Sequence, residues 1–250
     1  MTAKTYFISD CHLGAHYIDD PRNHEQRVVR FLDAIKDDAS QLFLLGDIID
    51  YWYEYHDVVP RGHVRFFGKL AQLADSGVEI FWLTGNHDVW LFDYLRDEIG
   101  IKVLKKSTVV EIDGKKVFIS HGDDVGRQPP AYRFMRTLFY NRLCQTLYAS
   151  LHPRITTPIA NFWSKNNRVN RDPELTRKKA LGQSDLIIDF ARGHHQSHPD
   201  TDFYVFGHLH LARTAEVDDR AKAIFLGDWI TQDTFAVMQD GQITLKAFKP

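Results

Sequence analysis

Five short apolar runs in this chain are each followed at once by residues of the types that bind metal ions. The runs are rich in β-branched and aromatic side chains, which is typical of buried strands. Because the carboxyl ends of parallel strands meet at one edge of an open sheet, the residues that follow them can converge on one crevice. The segments are Asp10-Cys11-His12, Gly46-Asp47, Gly85-Asn86-His87-Asp88, His121-Gly122-Asp123 and Gly207-His208-Leu209-His210.

The first part of the chain alternates strands with amphipathic helices. Tyr6–Ser9, Leu42–Leu45 and Ile80–Leu83 are predicted strands, and helical periodicity separates them, with Gly77 as the C-cap of the second helix. A further helix is predicted around Val89–Ile99. This βαβα order predicts a mostly parallel sheet with helices packed against it.

Two Asp-Gly pairs, Asp113-Gly114 and Asp240-Gly241, each stand between β-rich runs, which is a strong signal for a two-residue hairpin. Phe203–Phe206 and Ala223–Leu226 add two more strands. Antiparallel edges beside a parallel centre predict a layered α/β sandwich built from two sheets. The hairpin strands are Thr108–Ile112 with Lys116–Ser120 and Thr234–Gln239 with Gln242–Phe248.

Residues 125–195 contain no convincing strand. Ala131–Leu151 has helical periodicity, and about two-thirds of its circumference is apolar, which is more than one core-facing stripe requires. We interpret the region as an inserted helical cap, and the alternative is a helix buried between neighbours. The polar stretch that contains His194, His195 and His198 is predicted to be a surface loop.

The candidate ligands are carboxylates, imidazoles and one amide oxygen, with no thiolate required among them. This mixture suits Mn²⁺, Fe or Zn²⁺ more than Ca²⁺. Gly46, Gly85 and Gly207 stand beside these ligands, where a residue without a Cβ lets the backbone turn sharply and approach an ion closely. The sequence therefore predicts a metal site at the sheet edge.

The ordered set Asp-x-His, Gly-Asp-x-x-Asp, Gly-Asn-His-Asp, His-Gly-Asp and Gly-His-x-His resembles the calcineurin-like metallophosphoesterases. The resemblance covers residues 5–125 and 200–230. It implies a four-layer αββα fold and two divalent metal ions. With the cap included, the chain divides into a metallophosphoesterase core over 1–124 and 200–250 and a helical insertion over 125–199 that covers the active site.

The resemblance also implies which residues hold the two ions, for which Mn²⁺ is the first choice and Fe or Zn²⁺ the alternatives. Such a pair of ions can clamp a phosphoryl group and activate a water for in-line attack. His87 is then expected to contact the phosphoryl oxygen or assist the leaving group, with Asp88 orienting it from behind. One ion would be held by Asp10, His12, Asp47 and His210, and the other by Asp47, Asn86, His121 and His208.

Residues in the cap resemble the branch of that family that acts in lipid A assembly, on the motifs Gln145-Thr146-Leu147 and Ser164-Lys165-Asn166. This implies cleavage of the pyrophosphate bond of UDP-2,3-diacylglucosamine to give UMP and 2,3-diacylglucosamine 1-phosphate. The substrate-binding residues expected on this basis are Asn86, His87, Tyr132, Arg136, Ser164, Lys165, Asn166 and Arg168.

The composition of the cap agrees with an amphiphilic substrate. Two acyl chains need an apolar groove, and interspersed cations could bind phosphates or an anionic membrane surface. The alternative is that the aromatic residues are core and the cations a solvated face. The apolar candidates are Phe134, Leu138, Phe139, Leu143, Phe162 and Trp163, and the cations are Arg136, Arg142, Arg154, Lys165 and Arg168.

Two departures from that branch leave the substrate open at this point. His87 stands where the branch has Arg, and Val125-Gly126-Arg127-Gln128-Pro129-Pro130 replaces an acidic, threonine-rich stretch. A related enzyme for another phosphodiester or nucleotide pyrophosphate is therefore the alternative. A non-catalytic scaffold with the same fold is less favoured, because every ligand position is filled.

The expected partners and location follow from charge, cysteine content and hydropathy. A formal net charge of −2 without a long basic tract does not fit a nuclease or other nucleic-acid-binding protein. No run reaches the roughly 18–20 apolar residues of a membrane span, and no signal peptide or obligate protein partner is evident. With only Cys11 and Cys144, a cytoplasmic protein is expected, peripheral on the inner face of the inner membrane.

Overall fold

The computed structural model of the protein describes residues 3–126, 128–158 and 173–249. Within them, strands and helices follow one another largely in the alternation that the sequence predicts. The strands are β1 (Lys4–Ile8), β2 (Ala39–Leu45), β3 (Glu79–Leu83), β4 (Lys102–Leu104), β5 (Thr108–Ile112), β6 (Lys115–Ser120), β7 (Thr201–Phe206), β8 (Ala212–Glu216), β9 (Lys222–Leu226), β10 (Thr234–Gln239) and β11 (Gln242–Ala247). The helices are α1 (Pro21–Ala34), α2 (Val64–Asp75), α3 (Tyr94–Ile99), α4 (Pro130–Tyr140), α5 (Arg142–Ala149), α6 (153–158) and α7 (Pro173–Ser197).

The strands form two sheets, each with a parallel centre. The first has the order β11-β10-β1-β2-β3-β4, in which β1 to β4 are parallel and the β10–β11 hairpin is an antiparallel edge. The second has the order β5-β6-β7-β9-β8, in which β6, β7 and β9 are parallel and the outer strands antiparallel. At the hairpin turn of β5 and β6, Asp113 and Gly114 both have positive φ, of 49° and 70°, as a type I′ turn requires.

Strand alternation explains how the two sheets are covered. Tyr6 and Ile8 of β1 pack toward α1 and α2, whereas Phe7 between them packs into the space between the sheets. There Phe7 stacks on Phe43 of β2 with ring centroids 5.1 Å apart. Because both faces of these strands are buried, their sequences are continuous apolar runs rather than alternating ones.

Helix α7 covers the outer face of the second sheet. Its Ile187, Ile188 and Ala191 are buried against Tyr204 and Phe206 of β7. The layers are therefore helices, first sheet, second sheet and helix, and the predicted four-layer αββα fold is confirmed. The division into a core and an insertion over 125–199 stays a prediction, but α7, within that range, belongs to the fourth layer.

Three local predictions need correction. Ala131–Leu151 is two helices, because Asn141 is extended (φ −75°, ψ 121°) and its side-chain oxygen caps α5 by accepting from the backbone N–H of Leu143 at 2.9 Å. The helix predicted from Val89 begins only at Tyr94. His194 and His195 lie in the last turn of α7 rather than in a surface loop. His195 is buried there and pairs with a carboxylate of the β8–β9 connection. That carboxylate is Asp218, whose Oδ2 is 2.8 Å from His195 Nε2.

Candidate metal centre

The loops that follow β1, β2, β3, β6 and β7 meet at one edge of the sandwich, between the two sheets. The backbone N–H of His208, after β7, donates to Asp10 Oδ2, after β1, at 2.8 Å across 198 positions of sequence. His121 Nδ1, after β6, is 2.8 Å from the carbonyl oxygen of Leu45 at the end of β2. The predicted convergence of the strand-end motifs is thus a feature of the structure.

Five of the predicted ligands have a left-handed backbone conformation. For a residue with a Cβ this conformation costs about 1–3 kcal/mol and persists only where the surroundings impose it. Such residues cluster at active sites and ligand clamps. They are Asp10 (φ 54°), His12 (45°), Asp47 (53°), His208 (69°) and His210 (51°).

Two glycines allow the ligand loops to approach each other. A Cβ on Gly46 would lie 2.6 Å from His121 Nδ1 and 2.7 Å from the Cα of Gly85, and one on Gly85 would lie 2.5 Å from the backbone N of Asp47. Real Cβ contacts are not this short, so any side chain at either position would push the loops apart. The two glycines therefore allow the close approach of the loops to each other, and the predicted approach of the backbone to an ion stays a prediction.

Three histidines present Nε2 to the centre because their Nδ1 atoms are engaged behind it. His12 Nδ1 lies 3.0 Å from Asp50 Oδ1, and His210 Nδ1 lies 3.3 Å from Asp228 Oδ2. His121 Nδ1 can only donate to its carbonyl partner, so its Nε2 carries no proton in the neutral ring. Metal-binding histidines are commonly oriented in this way by a carboxylate or a backbone carbonyl.

Three overlapping groups of side chains could each hold an ion. In each group the ligand atoms lie within 4.8 Å of one another. Because Asp47 and His12 each belong to two groups, the set forms one continuous cluster rather than separate sites. The groups are Asp10 with His12 and His210, His12 with Asp47 and His87, and Asp47 with His121 and His208.

Unsatisfied buried atoms show that these residues fit a divalent metal. Asp10 Oδ1, Asn86 Oδ1 and His121 Nε2 are buried and lack a hydrogen-bond partner, although Asp10 Oδ1 lies 3.3 Å from His210 Nε2 without hydrogen-bond alignment. An unsatisfied buried polar atom costs about 1–3 kcal/mol. Three such electron-pair donors at one place are what a bound cation would satisfy.

The electrostatics of the site favour the metal-binding protonation state at two predicted ligands, Asp47 and His208, but not at two others. Burial would raise the pKa of Asp47, but His121, His87 and His12 outweigh it and hold that pKa well below its usual value. Burial, together with the neighbouring His121, lowers the pKa of His208 to about 3. An ionised carboxylate and a neutral imidazole are the forms that coordinate an ion. Burial raises the pKa of Asp10. Burial would lower the pKa of His121, but the neighbouring Asp47 outweighs it and holds that pKa well above its usual value.

His87 and Asp88 lie in the loop after β3 but have different surroundings. His87 Nδ1 is 2.8 Å from the carbonyl oxygen of Asp50, which leaves Nε2 as the atom for a ligand or substrate. Within the described residues, no hydrogen bond joins Asp88 to His87. Instead its carboxylate accepts from the backbone N–H of Ile48 at 2.9 Å and of Gly85 at 2.7 Å, so it ties the loops that carry Asp47 and Asn86 together.

Sequence reasoning left two carboxylates out of the site, Asp50 and Asp228, which stand behind His12 and His210. Asp50 is the last residue of the Gly-Asp-x-x-Asp motif, so its position was available as a signal. Asp228 follows β9 as Gly227-Asp228, which repeats the Gly46-Asp47 pattern after β2. A sixth strand end therefore contributes to the same edge.

A cavity of 690 Å³ adjoins the metal centre. At one end it is lined by Asn86 and His87, and it continues between the loop after β3 and helices α4 and α5. Its walls are mostly apolar or aromatic, which is typical of a site for an apolar ligand group. The wall residues include Val89, Trp90, Met135, Leu138, Phe139 and Tyr148.

Two of the predicted substrate-binding residues line this cavity but already have partners. The Tyr132 hydroxyl donates to Asp123 Oδ2 at 3.1 Å, and Arg136 Nε donates to the same oxygen at 3.0 Å. Asp123 follows the ligand His121 by two residues, so these contacts fasten α4 to the metal loop. The predicted contacts at Ser164, Lys165, Asn166 and Arg168 lie outside the described residues.

The apolar side chains of the cap are divided between the cavity and the outer surface. Leu138 and Phe139 line the cavity, whereas Phe134 and Leu143 are 66% and 68% exposed, so these two are not part of the groove. Neither α4 nor α5 has a buried residue. Phe162 and Trp163, also predicted for the groove, lie outside the described residues. Among the described helices, none combines the length and apolarity needed to cross a bilayer.

The fold and the centre together define a metallophosphoesterase, and comparison with known sequences agrees. The sequence model of the Calcineurin-like phosphoesterase family matches residues 3–212, so the chain belongs to that family. The family, fold and enzyme class expected from the motifs are confirmed.

Curated relatives are similar to this chain over its whole length. UDP-2,3-diacylglucosamine hydrolase of Porphyromonas gingivalis (strain ATCC BAA-308 / W83) is 39% identical, with 100% of this chain and 99% of the relative aligned. The protein of the same name from Shewanella oneidensis is 28% identical, over 98% and 97% of the two chains. Among solved structures, the E. coli phosphoesterase Yfce matches with a TM-score of 0.45 and 15% identity, covering 98% of this chain and 92% of that one. A structural similarity of this size adds nothing to the assignment.

Proposed function

We propose that this protein hydrolyses the pyrophosphate bond of UDP-2,3-diacylglucosamine, giving UMP and 2,3-diacylglucosamine 1-phosphate. The observation that carries the proposal is the apolar cavity of 690 Å³ that is lined at one end by Asn86 and His87. A small water-soluble diester would not need such a wall beside the reacting group. The names and full-length similarity of the curated relatives support the same substrate.

The proposal assigns two divalent ions to the centre, with Asp47 shared between them. The overlap of the ligand groups at Asp47 and the unsatisfied oxygen of Asn86 support this assignment. The mixed oxygen and nitrogen donors make Mn²⁺ the first choice, with Fe or Zn²⁺ as alternatives. Asp10, His12, Asp47 and His210 hold one ion, and Asp47, Asn86, His121 and His208 hold the other.

When bound, the two ions supply Lewis acidity to the phosphoryl group and to the attacking water. The chain's own residues hold the reacting group and move protons. His87, fixed through Nδ1 by the Asp50 carbonyl, contacts a phosphoryl oxygen or the leaving oxygen with its Nε2 edge. Asp88 is a positioning residue that acts through the loops of Asp47 and Asn86.

The acyl chains occupy the cavity against α4 and α5, which belong to the insertion over 125–199. Val89, Trp90 and Phe139 form walls that exclude water from this space. Burying acyl chains there is favourable by about 25 cal/mol per Å² of apolar surface. The two helices bury no residue of their own, so a bound lipid completes their packing.

The outer face of the cap contacts the inner membrane surface from the cytoplasmic side. Phe134, Leu143 and Leu147 of the cap are exposed, and so are Arg142 and Arg154. Apolar side chains mixed with cations suit the interface of an anionic bilayer. Such contact would also bring the cavity to the lipid that it takes up.

Product analysis tests the substrate. The purified protein is stripped with a chelator, reloaded with Mn²⁺, Fe²⁺ or Zn²⁺, and incubated with UDP-2,3-diacylglucosamine in detergent micelles. Mass spectrometry is expected to detect UMP and the lipid monophosphate in equal amounts, and only in the metal-loaded samples. Turnover of bis-p-nitrophenyl phosphate without turnover of the lipid would contradict the proposal and favour a related phosphodiesterase.

A further inference from the structure

A second cavity, of 950 Å³, adjoins the first along helix α4. Arg133 and Thr137, one turn apart, line the second cavity, whereas Met135 and Phe139 line the first. The side chains of Tyr132, Arg136 and Tyr140 line both. Helix α4 therefore separates two spaces that share a common boundary.

The two cavities differ in which residues near the metal centre line them, although Asp123 lines both. The first includes Asn86 and His87, in the loop after β3. The second includes Asp123 and Asp124, which follow the predicted ligand His121. A molecule whose middle lies at the metal centre can thus extend one arm into each cavity.

The linings of the two cavities differ in chemistry. The second offers the guanidinium of Arg133 and the side-chain amides of Gln128 and Asn141, with the aromatic rings of Tyr140 and Phe190 nearby. Asn141 uses its oxygen to cap α5, so its amide N–H groups are the ones able to contact a ligand. Hydrogen-bond donors around aromatic faces suit a planar polar ring rather than an acyl chain.

Most of the charged side chains that line the second cavity already have partners within the protein. Arg136 pairs with Asp123, and Asp124 accepts from the hydroxyls of Ser107 and Ser120 at 2.8 Å each. Arg133 forms no ion pair within the part of the chain that the structure describes. The guanidinium of Arg133 is therefore the charged donor group that is available to the carbonyl or hydroxyl oxygens of a ligand.

We infer that the second cavity binds the uridine end of the substrate while the first binds its acylated sugar. The inference rests on the proposed function and adds the location of the nucleoside. In-line displacement places the attacking water opposite the oxygen of the leaving arm, while the other arm stays on phosphorus through a different oxygen, so the two arms of the pyrophosphate extend in different directions. The volume of 950 Å³ is within the range of about 300–1,000 Å³ common for ligand sites.

Photocrosslinking locates the nucleoside directly in the unmodified protein. Metal-loaded enzyme is irradiated with 4-thio-UMP, and the labelled peptides are sequenced by mass spectrometry. We expect adducts at residues that line only the second cavity, namely Arg133, Thr137, Asn141 or Phe190, and their suppression by excess UMP. Adducts confined to Trp90, Met135, Gln145 or Tyr148, which line only the first cavity, would overturn the inference.

Binding of UMP to variants supplies a second measurement. Arg133→Ala removes charged hydrogen bonds, so the dissociation constant of UMP measured by calorimetry should rise roughly 10- to 100-fold. Arg96→Ala, which removes an exposed arginine from α3, is the matched control and should change it by less than about twofold. An equal effect of both variants would overturn the inference, with circular dichroism checking that both are folded.

The outcomes separate this inference from the proposed function. If the enzyme cleaves UDP-2,3-diacylglucosamine but 4-thio-UMP labels the first cavity, the assignment of the arms is wrong and the function stands. If UMP neither binds nor labels and the lipid is not cleaved, the proposed function fails together with the inference.

Discussion

Asp47 is the residue on which the centre depends, because it takes part in two of the ligand groups and its Oδ1 also accepts from the backbone N–H of His87 at 2.9 Å. We expect Asp47→Ala to lose most bound metal and at least about 10³-fold in kcat/KM, since the ions supply several kcal/mol of transition-state stabilisation. Elemental analysis and kinetics check this. The exposed-residue control Asp37→Ala should retain both, and an Asp47→Ala protein with two metals per chain would contradict the shared role.

His87 differs from its neighbours in the site because a carbonyl fixes its Nδ1 while its ring also lies near the ligand atoms of His12 and Asp47. If it assists the reaction without binding metal, His87→Ala should keep both ions and lower kcat by about 10²–10⁴-fold. His87→Arg should recover part of the loss if charge is the role, but not if proton donation is, because Arg stays protonated. Measuring the metal content of the three proteins and their kcat as a function of pH distinguishes these roles. Loss of one ion in His87→Ala would show that His87 is a metal ligand.

His24 supports the ligand loop from behind, where a pH effect on stability is expected. Its Nε2 donates to the carbonyl of Cys11 at 2.7 Å, and Arg27 donates to its Nδ1 at 3.0 Å, so the folded state holds the neutral ring. Burial is the main cause of its lowered pKa, opposed by the Cys11 carbonyl and assisted by Arg27. Below the ordinary histidine pKa the unfolded chain takes up a proton that the folded chain resists, so stability falls as pH falls.

This effect can be measured by denaturant unfolding of the metal-loaded protein from about pH 7.5 to about pH 5.5. His24→Gln keeps a donor to Cys11 but cannot titrate. The variant should be less stable by about 1 kcal/mol at the upper pH, and its free energy of unfolding should fall less steeply toward the lower pH. Half-buried His63, whose pKa is also lowered, contributes the same slope to both proteins. Parallel pH profiles would show that His24 does not contribute.

Helices α4 and α5 present two different apolar surfaces, and the structure allows them to be tested apart. Phe139 lines the cavity and Leu143 is on the outer face. Phe139→Ser should impair turnover of the lipid substrate in detergent by about tenfold or more and leave binding to vesicles unchanged, because it removes acyl contacts of about 1.5–3 kcal/mol.

Leu143→Ser should have the opposite profile. Flotation with phosphatidylglycerol vesicles is expected to show weaker association, while turnover of detergent-dispersed lipid is kept. Loss of both properties in both variants would mean that the helices are merely structural, and unchanged flotation of Leu143→Ser would contradict membrane contact through this face.

At the scale of the whole molecule, the metal centre joins the two sheets. Its ligands follow β1, β2 and β3 of the first sheet and β6 and β7 of the second. Ions bound between them should therefore stabilise the entire sandwich, by about 2.7 kcal/mol at a free concentration 100 times the dissociation constant. For a chain of this size that corresponds to a rise in Tm of about 5–10 °C.

Calorimetry of chelator-treated and Mn²⁺-reloaded protein tests this without reference to activity. Asp47→Ala is the matched comparison, because it should respond to Mn²⁺ with a much smaller shift. An equal rise in Tm for both proteins would place the stabilising ions somewhere other than the shared centre.

Much of the fold could be predicted because its signals are local. Period-two and period-3.6 patterns, together with Asp-Gly pairs at the turns, depend on side chains only a few positions apart. Prediction failed where a local pattern continues without a break. Apolar residues continue past Asn141, so the sequence did not indicate the break between α4 and α5. The position of α7 was also missed. Both depend on what the segments pack against.

The sequence by itself determined the strand ends, the order of the ligand motifs and the types of their donor atoms, because each of these depends on the residues of short segments alone. Only the tertiary structure decided which groups stand behind the ligands and which side of the cap faces the cavity. Asp228 orients His210 from another strand end, and Leu143 points away from the groove that Phe139 lines. These relations depend on how two sheets and a helix pair pack in space, which distances along the chain do not specify.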